Sequence, residues 1–116
     1  GLSRNNRISA RQIVTLLDAV ICSGDVGAEA FMDSLAVAGE SGTLSDRMNG
    51  TIAERMVRAK TGFISGASAL SGVAMTDDER FFAFSVLVEY PAIAGLNREV
   101  WKPMQDRICE AIVRGP

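Results

Sequence analysis

Residues 56–90 read MVRAKTGFISGASALSGVAMTDDERFFAFSVLVEY, and this stretch decides the fold. At its start Val57, Ala59 and Thr61 alternate with Met56, Arg58 and Lys60, a period of two that gives a strand one apolar and one polar face. Gly62 and Gly66 are expected to bracket a tight reversal, after which Ala67 to Met75 forms a second strand of small side chains. Thr76-Asp77-Asp78-Glu79 is a polar turn. The third run, Phe81 to Tyr90, sets Phe82, Phe84, Val86, Val88 and Tyr90 on one face and Phe81, Ala83, Ser85 and Leu87 on the other. A strand apolar on both faces is expected to be covered on both sides, in the middle of a sheet.

Upstream the period becomes helical. Ser9 and Gln12 have capping-box spacing, and Ile8 and Ile13 stand where a hydrophobic staple would close. Ile13, Leu16, Leu17, Val20 and Ile21 then share a face, and Gly24 suits a left-handed cap, so a helix is predicted over about 9–22. A second helix follows Asp25 as cap, with Ala28, Phe31, Met32 and Leu35 on one side. Gly39 and Gly42 make 36–43 a loop, and Leu44–Met48 and Thr51–Arg55 are candidate helical turns. Downstream, Pro91 ends the last strand. Trp101, Met104, Ile108, Ala111 and Ile112 fall on one stripe of a closing helix that begins near Pro103. The expectation is a single α+β domain over 1–116: mainly helical to residue 55, about three antiparallel strands within 56–90, and a helix over 97–114.

Composition narrows the chemistry. The chain has 116 residues, 47% of them hydrophobic and 22% charged, which is globular rather than disordered. Twelve basic against fourteen acidic residues give a net charge of -2, so the positive field that nucleic acid or an anionic membrane surface requires is missing. There is no histidine, which removes Ser-His-Asp and Cys-His catalysts and imidazole-bound zinc. Two cysteines build neither a Cys-rich metal site nor a multi-disulfide scaffold, and no metal or cofactor is expected. No apolar run approaches the eighteen or so residues that span a bilayer. The chain opens at Gly1 without a methionine and reads as an excised piece, any targeting segment lying upstream.

The sharpest local signal is Lys60-Thr61-Gly62. Lys60 is one of two lysines among twelve basic residues and sits on the polar face of its strand. A cation, a hydroxyl and an unobstructed backbone together suit a carboxylate or phosphate. Taken alone, the tripeptide is as well explained by an exposed strand lysine followed by a turn glycine.

Its surroundings carry more. Arg58-Ala59-Lys60-Thr61-Gly62-Phe63-Ile64-Ser65-Gly66-Ala67-Ser68-Ala69-Leu70-Ser71-Gly72, followed by Phe82-Ala83-Phe84-Ser85-Val86-Leu87-Val88, closely resembles the C-terminal part of bacterial D-alanyl-D-alanine carboxypeptidases/endopeptidases of the DacB type. Gly1-Leu2-Ser3-Arg4-Asn5-Asn6-Arg7-Ile8-Ser9 is similar to the family's Gly-Leu-Ser-Arg element. Leu35-Ala36-Val37-Ala38-Gly39-Glu40-Ser41-Gly42-Thr43-Leu44 is similar to its Ala-Gly-x-x-Gly-Thr-Leu loop. The likeness runs in order along nearly the whole chain. It implies part of a β-lactamase/transpeptidase-like fold and a periplasmic or cell-envelope location.

The resemblance also implies a mechanism. In this family a lysine-activated serine attacks the bond between two D-alanines of a peptidoglycan stem peptide, or a β-lactam antibiotic, and the acyl-enzyme is hydrolysed. Lys60 and Thr61 would hold the substrate carboxylate, Gly62 would let the substrate lie along the strand, and the Phe63 N–H would be one oxyanion-hole donor. Phenylalanine stands where the family commonly has threonine or serine, which costs a hydroxyl and adds bulk. No serine here has a lysine three residues on, so the Ser-x-x-Lys nucleophile is absent from this chain. Ser3-Arg4-Asn5 imitates the second motif, Ser-x-Asn, but its flanks match the Gly-Leu-Ser-Arg element, and a loop serine and asparagine is the preferred reading. A non-catalytic binding or structural domain of the same fold is the alternative. Two consequences follow from the resemblance. Lys60-Thr61-Gly62 should lie on a sheet edge, and Phe81–Tyr90, without its family partners, should leave an edge open to self-association.

The remaining candidates read as structural. Glu40, Asp46 and Glu54 are solvated loop charges. Cys22 and Cys109, among apolar neighbours, are expected to be buried free thiols in preference to a disulfide, though the compartment the resemblance implies would permit a bridge. Trp101 and the phenylalanines are at core spacing.

Overall fold

A computed structural model describes residues 5–115. The elements in chain order are α1 (Ala10–Cys22), α2 (Val26–Ser34), β1 (Ala36–Val37), a 3₁₀ turn (Gly42–Leu44), β2 (Val57–Ile64), β3 (Ala67–Met75), β4 (Phe81–Glu89), a π-turn (Asn97–Trp101) and α3 (Lys102–Arg114). The fold is α+β, with four strands in the antiparallel order β1-β2-β3-β4.

Both predicted N-terminal helices form as capped. The Ser9 hydroxyl accepts from the Gln12 N–H at 3.1 Å and the Gln12 side chain accepts from the Ser9 N–H at 2.8 Å, so two orphan donors are satisfied reciprocally. Gly24 lies just beyond with φ +66, the left-handed geometry that glycine adopts at least cost. Asp25 caps α2 by accepting from the Ala28 N–H at 3.0 Å. Of the predicted α1 face, Leu17 is buried whereas Leu16 stays 62% exposed. On α2, Ala28 and the following Leu35 are buried, while Phe31 remains at the surface.

The sheet corrects three sequence expectations. The 36–43 stretch is not all loop: Ala36 and Val37 pair with Ala59 and Arg58, a strand too short to show any periodicity. The candidate turns at 44–48 and 51–55 form as single turns, the Arg47 N–H donating to the Leu44 carbonyl at 3.0 Å and the Glu54 N–H to the Thr51 carbonyl at 3.2 Å, and neither extends into a helix. Met48 and Arg55 take φ of 62° and 63°, outside the helical well, and the Thr51 hydroxyl donates to the Met48 carbonyl. Gly62 does not open a reversal, because β2 runs through it to Ile64 and the hairpin closes on Ser65-Gly66 alone. β4, apolar on both faces, is an edge strand among the described residues rather than a central one.

Its two apolar faces are nonetheless explained by layering. Alternation and register put Val57, Ala59, Leu70, Ala74, Phe84 and Val86 on one side of the sheet, where they pack with Cys109, Val113 and Leu44. The other side is crossed by α1, which lies over β4 and β3. On that side the Arg58 guanidinium reaches the Met32 carbonyl at 3.4 Å and Asp33 at 3.5 Å. Side chains such as Leu44 and Leu70, fully excluded from water, each contribute about 2 kcal/mol. The closing helix starts beside Pro103 as expected, but its inward stripe is Gln105, Cys109 and Val113. The predicted stripe is rotated outward: Met104 and Ile108 are half-buried and Ala111 is exposed.

Candidate active site

β1 covers only the start of β2. The Ala38 N–H donates to the Val57 carbonyl at 2.9 Å, so the backbone polar groups of Val57 face β1. In an antiparallel ladder this direction alternates residue by residue, so the N–H and C=O groups of Ala59, Thr61 and Phe63 face the same way. β1 ends opposite Arg58 and Ala59, and beyond it no described strand pairs with Thr61 and Phe63. Among the described residues Lys60-Thr61-Gly62 therefore lies on an unpaired edge. Gly62 matters there, since a Cβ would stand 3.3 Å from the Cβ of Ala69.

The side chains divide across the strand. Lys60 is exposed on the α1 side, and its ammonium curls over the edge to donate to the Thr61 carbonyl at 2.8 Å. Thr61 points to the α3 side and donates from its hydroxyl to that of Thr43 at 3.0 Å. The Phe63 ring is 57% exposed and lines cavities on both sides. The cavity on the α1 side is about 600 Å³ and mainly apolar, with Ile8, Ala69 and Leu87 among its walls. The one on the α3 side is about 490 Å³, with Thr43, Thr61, Asn97, Arg98, Lys102 and Gln105 around it.

A buried network, not foreseen from the sequence, fixes the α3-side cavity. The Arg47 guanidinium bonds Asp106 at 2.6 Å, the Gln105 side-chain carbonyl at 3.1 Å and the Lys102 backbone carbonyl at 3.2 Å. Gln105 in turn donates to the Ser68 hydroxyl at 3.0 Å, and Ser68 pairs across the ladder with Phe63. Arg47 thus pins the loop bearing Thr43 to α3, and α3 to the strand beside β2. A glutamine four residues before Cys109, on a helix, was the one available signal, since a buried amide must be bonded.

Other predicted residues fall where their types suggest. Glu40 and Asp46 are exposed, and Glu54 is half-buried beside Gly39. Both cysteines are free, Cys109 fully buried but Cys22, contrary to expectation, exposed at the end of α1. Burial pushes the Cys109 thiol up to about 12, and the nearby Asp106 carboxylate adds to the shift. Cys22 is also raised, by the adjacent Asp18. Ser3 and Arg4 lie outside the described residues. No group of three or more His, Cys, Asp or Glu residues is placed to hold a metal among the described residues.

An antiparallel sheet with helices on both faces is the fold this chain shares with solved penicillin-binding proteins. The chain superposes on penicillin-binding protein 4 (dacB) from Haemophilus influenzae, solved with a β-lactam, with a TM-score of 0.85 over 97% of its length at 21% identity. It covers 27% of that protein. A predatory endopeptidase from Bdellovibrio bacteriovorus, solved with an immunity protein, gives 0.74 over 96% at 22% identity, with 29% of that chain covered. By sequence it is 46% identical over 96 residues to a D-alanyl-D-alanine carboxypeptidase from Actinomadura sp. (strain R39), covering 75% of this chain. It is 34% identical over 91 residues to carboxypeptidase DacB from Mycolicibacterium smegmatis. The D-Ala-D-Ala carboxypeptidase 3 (S13) family matches residues 1–109, and the chain belongs to it. It spans 16% and 20% of the length of those two carboxypeptidases.

Proposed function

We propose that this chain supplies the substrate-binding edge of a serine-type DD-peptidase that cleaves D-Ala-D-Ala bonds of peptidoglycan stem peptides and is acylated by β-lactams. The observation that carries the reading is the open edge of β2, where the backbone groups of Thr61 and Phe63 have no strand opposite among the described residues. A stem peptide would lie antiparallel along this edge, as an added strand does. Its terminal carboxylate would take the place of the Thr61 carbonyl at the Lys60 ammonium, with the Thr61 hydroxyl as second donor. The Phe63 N–H would receive the oxyanion, at a site where such a donor is worth about 3 kcal/mol.

The nucleophile and its lysine come from outside this sequence, which has no Ser-x-x-Lys. On this reading residues 1–116 are the C-terminal part of one transpeptidase-like domain working in the periplasm or cell envelope, and the free edge of β4 receives a further strand. Catalytic groups that act as a unit are strongly non-additive, so the edge alone keeps no proportionate share of activity. The 116-residue chain is expected neither to be labelled by a fluorescent penicillin nor to release D-alanine from a stem-peptide mimic. A longer protein carrying it with Ser-x-x-Lys should do both, and there Lys60→Ala should reduce the acylation rate on the order of a hundredfold. Normal acylation of a folded Lys60→Ala variant would reject the assignment. Covalent labelling of the short chain at any serine would return Ser3-Arg4-Asn5 to consideration.

A further inference from the structure

At Phe63, beyond the end of β1, the strand that pairs with β2 among the described residues is β3 alone. Phe63 pairs there with Ser68, and Ser68 with Val88, so the three form one cross-strand row on the α3 side of the sheet. Phe63 and Ser68 are a non-hydrogen-bonded pair, because the N–H groups of Gly62 and Ile64 are the ones that turn to β3. At such a pair the side chains stand closest, and they carry the coupling between the strands. The Phe63 ring is 57% exposed and does little to fix its own backbone. Ser68, 4% exposed, is the member of the row that is bonded to another layer, its hydroxyl accepting from the Gln105 side-chain amide at 3.0 Å. Gln105 is wholly excluded from water, and its side-chain carbonyl accepts from Arg47 at 3.1 Å.

A buried glutamine on a buried serine is not what stability alone selects. An apolar pair of matching shape would fill the same space and leave no polar group to satisfy. What the amide adds is direction, since a hydrogen bond fixes distance and angle and a fully satisfied buried network is rigid. We propose that Gln105 and Ser68 are positioning residues, which set the height of the Phe63 backbone above α3 and so aim its N–H at the developing oxyanion. This rests on the reading of the Phe63 N–H as an oxyanion-hole donor. The contacts run from Arg47 through Gln105 and Ser68 to Phe63, and neither positioning residue touches the substrate. Oxyanion donors act over a short range, and a misplacement of about 1 Å costs on the order of a hundredfold in rate. Without the tie the rim drifts by a fraction of that distance, so a fall of about tenfold in the acylation rate is expected.

The test is stopped-flow acylation, by a fluorescent penicillin, of a longer protein that carries this chain with Ser-x-x-Lys, resolving the binding step from the acylation step. In Gln105→Leu with Ser68→Ala, the acylation rate constant should fall about tenfold while the dissociation constant of the preceding complex is unchanged. The melting temperature should hold as well, because the Arg47 Nη2 protons keep Asp106 and the Lys102 carbonyl as acceptors. Ser68→Ala alone cuts the same tie and should show the same split, which keeps the test decisive if the double variant fails to fold. Gln105→Glu should retain the normal rate, since it keeps an acceptor for Arg47 and lets the Ser68 hydroxyl donate in turn. Normal acylation of both Ser68→Ala and the double variant, beside a slowed Lys60→Ala protein, would overturn the positioning role and leave the substrate edge standing. Normal acylation of the Lys60→Ala protein as well would reject the edge and this role together. A loss confined to the dissociation constant, or one equally large in Gln105→Glu, would show a merely structural part and also overturn the proposal.

Discussion

Arg47 shows how much one residue can hold in place. Its side chain is 9% exposed, and Asp106, Gln105 and a helix-end carbonyl all depend on it. Removing one partner of a buried pair leaves the other charge uncompensated, which costs more than the pair contributed. Arg47→Ala should therefore lower stability by about 2–4 kcal/mol, and the melting temperature by on the order of 10 °C, read by calorimetry. Arg47→Met with Asp106→Leu should recover most of the loss. An unchanged melting temperature for the single variant would show that the network is solvated. The contrast with Lys60-Thr61-Gly62 explains what was legible at this scale. That motif is contiguous, so type and order alone expose it, whereas Arg47 meets Asp106 across 59 positions of sequence, and nothing local in either residue announces the other. Thr43 was invisible for the same reason, its partner Thr61 being 18 residues away.

Elements were easier to read than their neighbours. β2, β3 and β4 emerged from periodicity and small turns, and the capping box located the start of α1 to the residue. Pairing is a different matter, because a strand's sequence records whether its faces are covered but not whether its edges are. β4 looked central since α1 covers one face and the Leu44–Cys109 core the other, yet its outer edge is free among the described residues. Its backbone groups at Val88 and Val86 are turned to β3, and by alternation those at Leu87 and Ser85 point outward. A nine-residue edge carrying Phe81 and Leu87 at the surface is a template for another strand. Light scattering at high concentration should show association of this chain. Leu87→Pro, which deletes an outward N–H without breaking the β3 ladder, should reduce it. A monomer at millimolar concentration would contradict this.

At the scale of the whole molecule the two thiols report on packing. Cys109 sits in the shared core of α3 and the sheet, while Cys22 is at the surface. A thiol reagent at pH 8 should modify Cys22 alone in the native protein and both in denaturant. Because the Cys109 thiol is held up to about 12 from an ordinary 9.0, the unfolded chain releases this proton first as pH rises. Stability must then fall between about pH 9 and 12, and the fall should be shallower in Cys109→Ala, measured by denaturant unfolding at each pH. The α+β class was within reach of the sequence. The stripe of α3 was not, since Met104 and Ile108 are as apolar as Val113 and only the docked helix decides which of them turns inward.

The free end of β2 has a dynamic corollary. Its amide protons form a comb: those of Gly62 and Ile64 are held by β3, and those of Thr61 and Phe63 between them meet no strand among the described residues. Deuterium should therefore enter every second position along a single strand, quickly at 61 and 63 and slowly at 62 and 64, within one rigid piece of backbone. A partner that docks there would fill only the gaps in the comb. Slowed exchange at 61 and 63 alone would thus distinguish docking along this rim from a general tightening of the fold, which would slow all four together.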